Sequence, residues 1–284
     1  MTARNKLLMI GLAALLLAGR GTLAEDAAKA PGAAPVGAPP QAAGKAPGKA
    51  QPPDSGLEVI DPVRQYAHCI ALARQKPDQG WEEALAWGSL GGGEPARQCG
   101  AIALIGLRQY EEAATRLEAL ARDSHGEPKL RAGMLAQAGQ AWLLANQPER
   151  AYADQTAALK LVPDAPDILV DRSESLAMAK NYRDALTDLN RSLATSPNRV
   201  DALTFRATAK RFLNDDAGAA ADAARAIALD PSARDAWLEA GILKRLKGDK
   251  AGARKDWMKV LELAPDSAAA DAARRNLELM DVRE

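Results

Sequence analysis

The sequence predicts an all-α fold in which pairs of antiparallel helices stack one on another. Three observations support this prediction. Apolar and small residues recur with the three-and-four spacing of helices. Short turns and prolines divide the helices, because proline cannot continue a helical backbone. A step of 34 residues separates the members of one proline column, which comprises Pro163, Pro197, Pro231 and Pro265. A repeat of this length holds two helices, so successive repeats stack into an array.

The N-terminal residues have the pattern of a secretory signal peptide. Arg4 and Lys6 precede an apolar run over 7–18, and small residues follow it in the stretch GTLAED, which predicts cleavage after Ala24. About twelve apolar residues fall short of the roughly twenty that cross a bilayer. We therefore expect residues 1–24 to be a signal peptide and the protein to be exported, with an uncleaved anchor as the alternative.

Residues 25–56 form a linker that is rich in alanine, proline and glycine. Val36 is the only large apolar residue of this segment, and an aromatic side chain is absent from it. Such a segment buries too little surface to offset the entropy lost on ordering. We expect it to be a disordered, partly extended tether that precedes a helical repeat domain over 57–284.

Two irregular repeats are expected at the start of that domain, over 61–93 and 94–131. The first keeps only the outline of a helical pair, with Asp61 and Pro62 as a helix start and a break at KPDQG. The second carries about four extra residues around SHGEP. Its pattern is kept by Ala101, Leu104, Tyr110, Ala113 and Leu117.

Four regular repeats follow, over 132–165, 166–199, 200–233 and 234–267. In the last of them, Trp237 and Gly241 share one face of the first helix, and Ala253 and Trp257 lie on the second. The small residues at 241 and 253 let the two helices approach closely. One further helix is expected over 268–280, where it caps the last exposed pair.

These residues resemble the tetratricopeptide repeat: a 34-residue period, a Trp or Leu, a small residue, an Ala and a closing Pro. The resemblance implies a right-handed α-solenoid whose first helices line a concave face that binds peptides or protein segments. The variant that grips a C-terminal carboxylate uses asparagines on this face, and none is found there, so we do not expect that clamp. Carried over to this chain, the partner-binding groove comprises Gln140, Leu143, Glu174, Met178, Thr208, Arg211, Phe212, Ile242 and Arg245.

A column of aspartates follows the same period. Two of the repeats place Arg172 and Arg206 on their first helices, whereas two others have Ala138 and Ala240 there. We favour a structural ladder in which these charges pair between helices, and a row of acids that binds a ligand is the alternative. The column comprises Asp154, Asp188, Asp222 and Asp256.

The chain has two cysteines, Cys69 and Cys99, one on the first helix of each irregular repeat. Disulfides persist in oxidising compartments, and first helices of successive repeats lie side by side in the fold that the resemblance implies. We therefore expect a disulfide that joins the first repeat to the second. Two buried, reduced cysteines that act as small apolar residues are the alternative.

Signals of catalysis and of metal binding are weak. The only histidines are His68 and His125, and no CxxC or HxxxH spacing supports a zinc site. The stretch GSLGGGEPA lacks the lysine and the preceding strand of a phosphate-binding loop. With 37 basic and 37 acidic residues, the chain has no net charge that favours nucleic acid. We expect no cofactor, no metal and no enzymatic activity.

The sequence thus favours a non-enzymatic scaffold or adaptor of the bacterial cell envelope, most simply in the periplasm, that binds a protein or peptide. We expect no nucleic acid as a partner and no membrane span after signal cleavage. An alternative hypothesis is an envelope redox or thiol-dependent enzyme that uses Cys69 or Cys99, with His68 nearby in sequence. A third is that the array only associates with itself.

Overall fold

The computed structural model describes residues 61–281, and the ordered elements in this range are thirteen α-helices without a strand. The expected signal peptide and linker lie outside the described residues. The helices are α1 Pro62–Gln75, α2 Pro77–Ser89, α3 Gly93–Gly106, α4 Tyr110–Asp123, α5 Pro128–Leu144, α6 Pro148–Leu161, α7 Pro166–Met178, α8 Tyr182–Thr195, α9 Val200–Phe212, α10 Asp216–Leu229, α11 Arg234–Leu246, α12 Lys250–Leu263 and α13 Ala268–Asp281.

The helices form six pairs and a final single helix. Each helix contacts the next one along the chain, and α1 contacts α3. The first helices of the last four pairs also contact one another in order, α5 with α7, α7 with α9 and α9 with α11. This arrangement confirms the predicted all-α solenoid.

Close packing inside a pair depends on the small residues that the repeat pattern singles out. A Cβ atom added to Gly241 would lie 2.4 Å from Nε1 of Trp257, which is fully buried on the facing helix. At Gly139 an added Cβ would lie 2.9 Å from Cγ of Gln155. Glycine is therefore required at these two crossings because no side chain fits between the helices.

The turn inside each regular pair places one residue in the left-handed region, at Asn146, Lys180, Asn214 and Gly248. These positions are separated by the same 34 residues. Asparagine and glycine tolerate this conformation well, because the first bonds its own backbone and the second has no Cβ. The repeat period thus fixes the turn geometry as well as the helices.

The third pair begins earlier than expected. Its first helix starts at Pro128, four residues ahead of the predicted repeat boundary at 132. Proline suits the first turn of a helix because its missing N–H is not needed there. The extra residues around SHGEP are therefore divided between a short connection and an additional helical turn of α5.

The N-terminal pairs are joined by a covalent bond. Cys69 on α1 and Cys99 on α3 are linked through their sulfur atoms, with their Cα atoms 6.1 Å apart. Both residues are fully buried, together with Ala73, Trp87 and Ala103. This is the disulfide between the first and second repeats that we expected from the sequence.

At the opposite end, α13 packs on α11 and α12. Ala269 and Ala273 are buried there beside Trp257, and Leu277 is partly buried in the same cluster. This single helix covers the apolar surface that the sixth pair would otherwise leave open.

Candidate functional site

The candidate site is the surface formed by the first helices α5, α7, α9 and α11, called here the first-helix face. Residues in one column of the repeat lie at the same level of successive helices, because these helices contact one another in order. Two links cross between neighbours: Nε2 of Gln140 donates to Oδ2 of Asp171 at 3.2 Å, and Arg211 pairs with Glu239. The face is therefore a continuous surface.

Three of the nine expected groove residues are buried. Thr208, Arg211 and Ile242 are 2%, 1% and 4% exposed, so they are not available to a partner. The expectation was wrong for these three because the position of a residue in the repeat does not show whether side chains of the next helix cover it. The partly exposed residues of the expected groove are Gln140, Leu143, Glu174, Met178, Phe212 and Arg245.

Arg211 is held by Glu239 in a bidentate ion pair. Nε of Arg211 donates to Oε1 of Glu239 at 2.5 Å, and Nη2 donates to Oε2 at 3.1 Å. The hydroxyl of Thr208 donates to the same Oε2 at 3.1 Å. Both charged side chains are fully shielded from water. This pair joins α9 to α11 and closes that part of the face.

An aromatic stack lies beside this ion pair. The rings of Tyr182 and Phe212 are parallel, with centroids 4.1 Å apart. The guanidinium carbon of Arg211 lies 4.6 Å from the centroid of Phe212. Burial is the main reason that the pKa of Tyr182 is raised above its usual value. The stack fixes Phe212 at the end of α9, so this aromatic ring is a preorganised part of the face.

A second acidic column escaped the sequence-based prediction. Asp167, Asp201 and Asp235 lie in the first turns of α7, α9 and α11, again 34 residues apart. Arg199 bridges the first two, donating from Nε to Oδ1 of Asp201 at 2.8 Å and also to Asp167. Burial raises the pKa of Asp235 to about 6, although Arg234 partly lowers it. This edge of the first-helix face thus carries aspartates on α7, α9 and α11, together with the arginines that pair with them.

The opposite edge, where the same helices end, is apolar and basic. Met178 and Phe212 are the last residues of α7 and α9, and Arg245 lies in the last turn of α11. All three are partly exposed. A chain that crosses α7, α9 and α11 therefore meets aspartates with their paired arginines on one side and apolar side chains with a guanidinium on the other.

The first aspartate column forms the expected structural ladder. Arg172 donates to both oxygens of Asp188, at 2.7 and 2.8 Å, and Arg206 pairs in the same way with Asp222. Burial raises the pKa of Asp222, but hydrogen bonds from Arg206 and Lys210 outweigh it, so the pKa lies below its usual value. These pairs hold the second helix of a repeat to the first.

The sixth pair keeps the ladder through a different residue. The sixth pair lacks the arginine, having Ala240 in its place, yet Lys244 supplies a cation one turn later and donates to Oδ1 of Asp256 at 2.8 Å. The ladder is therefore not weakened there. For Asp154, the residues at the positions equivalent to this arginine and this lysine are Ala138 and Trp142, so neither position supplies a cation.

No protein-family model matches the sequence, and no curated protein matches it. Solved structures do match. A tetratricopeptide repeat protein from Parabacteroides merdae is 14% identical, with a TM-score of 0.61, over 79% of this chain and 86% of that chain. The chain has the tetratricopeptide-repeat fold. A thermophilic protein of this kind from Thermus thermophilus is 18% identical, with a TM-score of 0.54, over 64% and 96% of the two chains.

A third match is MamA from Desulfovibrio magneticus, which is 24% identical, with a TM-score of 0.50, over 59% of this chain and 93% of that chain. At such identities the likeness concerns the fold. In the tetratricopeptide-repeat fold the first helices line the concave side of the array, so the first-helix face of this chain corresponds to that side.

Two features are not found within residues 61–281. A cluster of three or more His, Cys, Asp or Glu side chains that could hold a metal ion does not occur in this range. In the same range no helix combines the length and the apolar character that a membrane span requires.

Proposed function

We propose that the protein is a non-enzymatic scaffold of the bacterial cell envelope that binds a protein segment across the first-helix face. The observation that carries this proposal is the row of partly exposed side chains on four successive first helices, with apolar side chains and Arg245 where α7, α9 and α11 end. The tetratricopeptide-repeat fold supports it, because this fold serves protein–protein interaction in general. The signal-peptide pattern of residues 1–24 supports export to the periplasm.

The geometry favours an extended segment as the ligand. A segment that crosses α7, α9 and α11 contacts one side chain from each repeat, so its own side chains are read at regular intervals. Met178 and Phe212 supply apolar contact area, which is the main source of binding free energy at such surfaces. Arg245 adds a charge, which sets the orientation of a bound segment more than its affinity.

The alternative hypothesis of a thiol-dependent enzyme has little support from the structure. Cys69 and Cys99 are bonded to each other and fully buried, so neither presents a thiolate in this state. The neighbouring His68 is exposed, whereas both cysteines are fully buried. We accordingly assign no catalytic role to either cysteine.

Capture from a bacterial envelope extract tests the proposed function. We expect Met178→Glu to weaken capture of the specific partner by about tenfold or more, because it places a charge in the apolar part of the face. The matched control is Met258→Glu, which makes the same change at a 53% exposed methionine on the second helix α12. That control is expected to capture the partner as the wild type does.

Two outcomes would contradict the proposal. Equal capture by Met178→Glu and the wild type would exclude this part of the face. If the dominant captured protein is a second copy of the chain, and light scattering shows a stable oligomer, then self-association is the function instead. Melting curves of both variants establish that they are folded before their binding is compared.

A further inference from the structure

One member of the aspartate column lacks the cationic partner that the first helix of its repeat supplies elsewhere. In the other repeats, an arginine sixteen residues earlier or a lysine twelve residues earlier pairs with the aspartate, as Arg172 does with Asp188. At Asp154 these two positions are Ala138 and Trp142. Oδ2 of Asp154 is buried and has no hydrogen-bond partner in the part of the chain that the structure describes.

A second carboxyl group lies beside Asp154. Glu118, on α4, accepts a hydrogen bond from Nε1 of Trp142 at 2.6 Å, and that indole also lies next to Asp154. Burial, and after it the charge of Glu118, raises the pKa of Asp154 to about 7. Two neighbouring carboxylates that are partly withdrawn from water repel each other, and a shared proton removes this repulsion.

The other charged groups around Asp154 and Glu118 do not remove this repulsion in place of the proton. On the helix of Asp154 itself, Arg150 lowers the pKa only partly, and its guanidinium lies over the ring of Trp142 at 3.6 Å. From the next pair, Arg172 is occupied by Asp188 and Thr156. The facing positions of α5 are the uncharged Ala138 and Trp142.

We propose that Asp154 and Glu118 share one proton, and that this proton strengthens the junction between the second and third helical pairs in mildly acidic solution and is lost in mildly alkaline solution. The direction of this pH dependence follows from the difference in proton binding between the folded and the unfolded state. A carboxyl group that is harder to ionise in the folded state contributes stability below its ordinary titration range, and that contribution is lost as the pH rises through about 7.

The position of this pair gives the proton a structural role. The junction of the second pair with the third, where α4 packs on α5, separates the two irregular, disulfide-linked pairs from the four regular pairs that carry the first-helix face. Loss of the proton would therefore loosen the attachment of one part of the array to the other. This inference stands on residues outside the first-helix face, so it does not depend on the proposed function.

Thermal unfolding at pH 5.5 and pH 8 tests the proposal, with Asp154→Asn as the variant and Asp188→Asn as its matched control. We expect Asp154→Asn to unfold at a higher temperature than the wild type at pH 8, by about 5 °C. The difference between the two pH values should be smaller than in the wild type, and Asp235, whose pKa is raised to about 6, accounts for part of what remains. Asp188→Asn should unfold at a lower temperature at both, because it leaves Arg172 without its partner.

A lower unfolding temperature of Asp154→Asn at pH 8, or a difference between the two pH values as large as that of the wild type, would overturn the proposal. A measurement on the wild type makes the test independent of the variants. Carboxyl ¹³C NMR should show Asp154 titrating with a midpoint of about 7. A midpoint in the ordinary range of aspartate would show that no proton is shared.

Discussion

Replacing Arg211 with methionine should lower the free energy of unfolding by about 3–5 kcal/mol. The change leaves Glu239 fully buried, with its carboxylate facing a hydrocarbon side chain in place of a guanidinium. A buried charge without its partner is far more costly than the net worth of the pair that was removed. Urea unfolding at pH 7 measures this difference directly.

Two comparisons separate the unpaired charge from a simple loss of packing. The double variant Arg211→Met with Glu239→Met should recover most of the lost stability, because apolar residues of similar size replace a buried pair at little cost. Arg245→Met, the same change one repeat later at a partly exposed position, should have a small effect. A stable Arg211→Met, or a double variant as unstable as the single one, would contradict the assignment.

Removing the disulfide should have the second large effect on stability. The bond between Cys69 and Cys99 closes a loop with a sequence separation of 30 residues, and the chain-entropy model gives about 3–4 kcal/mol for a loop of this size. The bond connects α1 to α3, where the repeat pattern is weakest. Reduction with dithiothreitol should therefore lower the unfolding temperature of the N-terminal pairs.

The variant with Cys69→Ala and Cys99→Ala is the control, since its unfolding temperature should be low and insensitive to dithiothreitol. Thiol titration of the native protein should detect no reactive thiol before reduction. If titration shows that dithiothreitol has opened the bond and the unfolding temperature does not change, the bond does not stabilise these pairs.

The order of helices follows from the sequence because it depends on local features. Columns such as Pro163 to Pro265, and the crossing of Gly241 with Trp257, depend on residues within one repeat. Helix periodicity and proline position are sufficient to place them. The fold is therefore predictable even though relatives in the structural comparisons are 14–24% identical.

The binding face was predictable only in part, since exposure depends on the neighbouring helix. Column numbering places Arg211 and Arg245 at equivalent positions, yet Glu239 buries only the first. The pair of Asp154 and Glu118 shows a related limit. The missing cation at Ala138 was visible in the sequence, but the irregular connection around SHGEP displaces Glu118 from the repeat columns, so counting residues could not place it beside Asp154.

The central claim is that a protein partner binds across the first helices, and photo-cross-linking tests it most directly. A photo-reactive phenylalanine analogue in place of Met178 reports on the first-helix face, and the same analogue in place of Met258 reports on the second helices. We expect the captured partner to be cross-linked from position 178 and not from position 258. Cross-linking from position 258 alone would contradict this account of the protein.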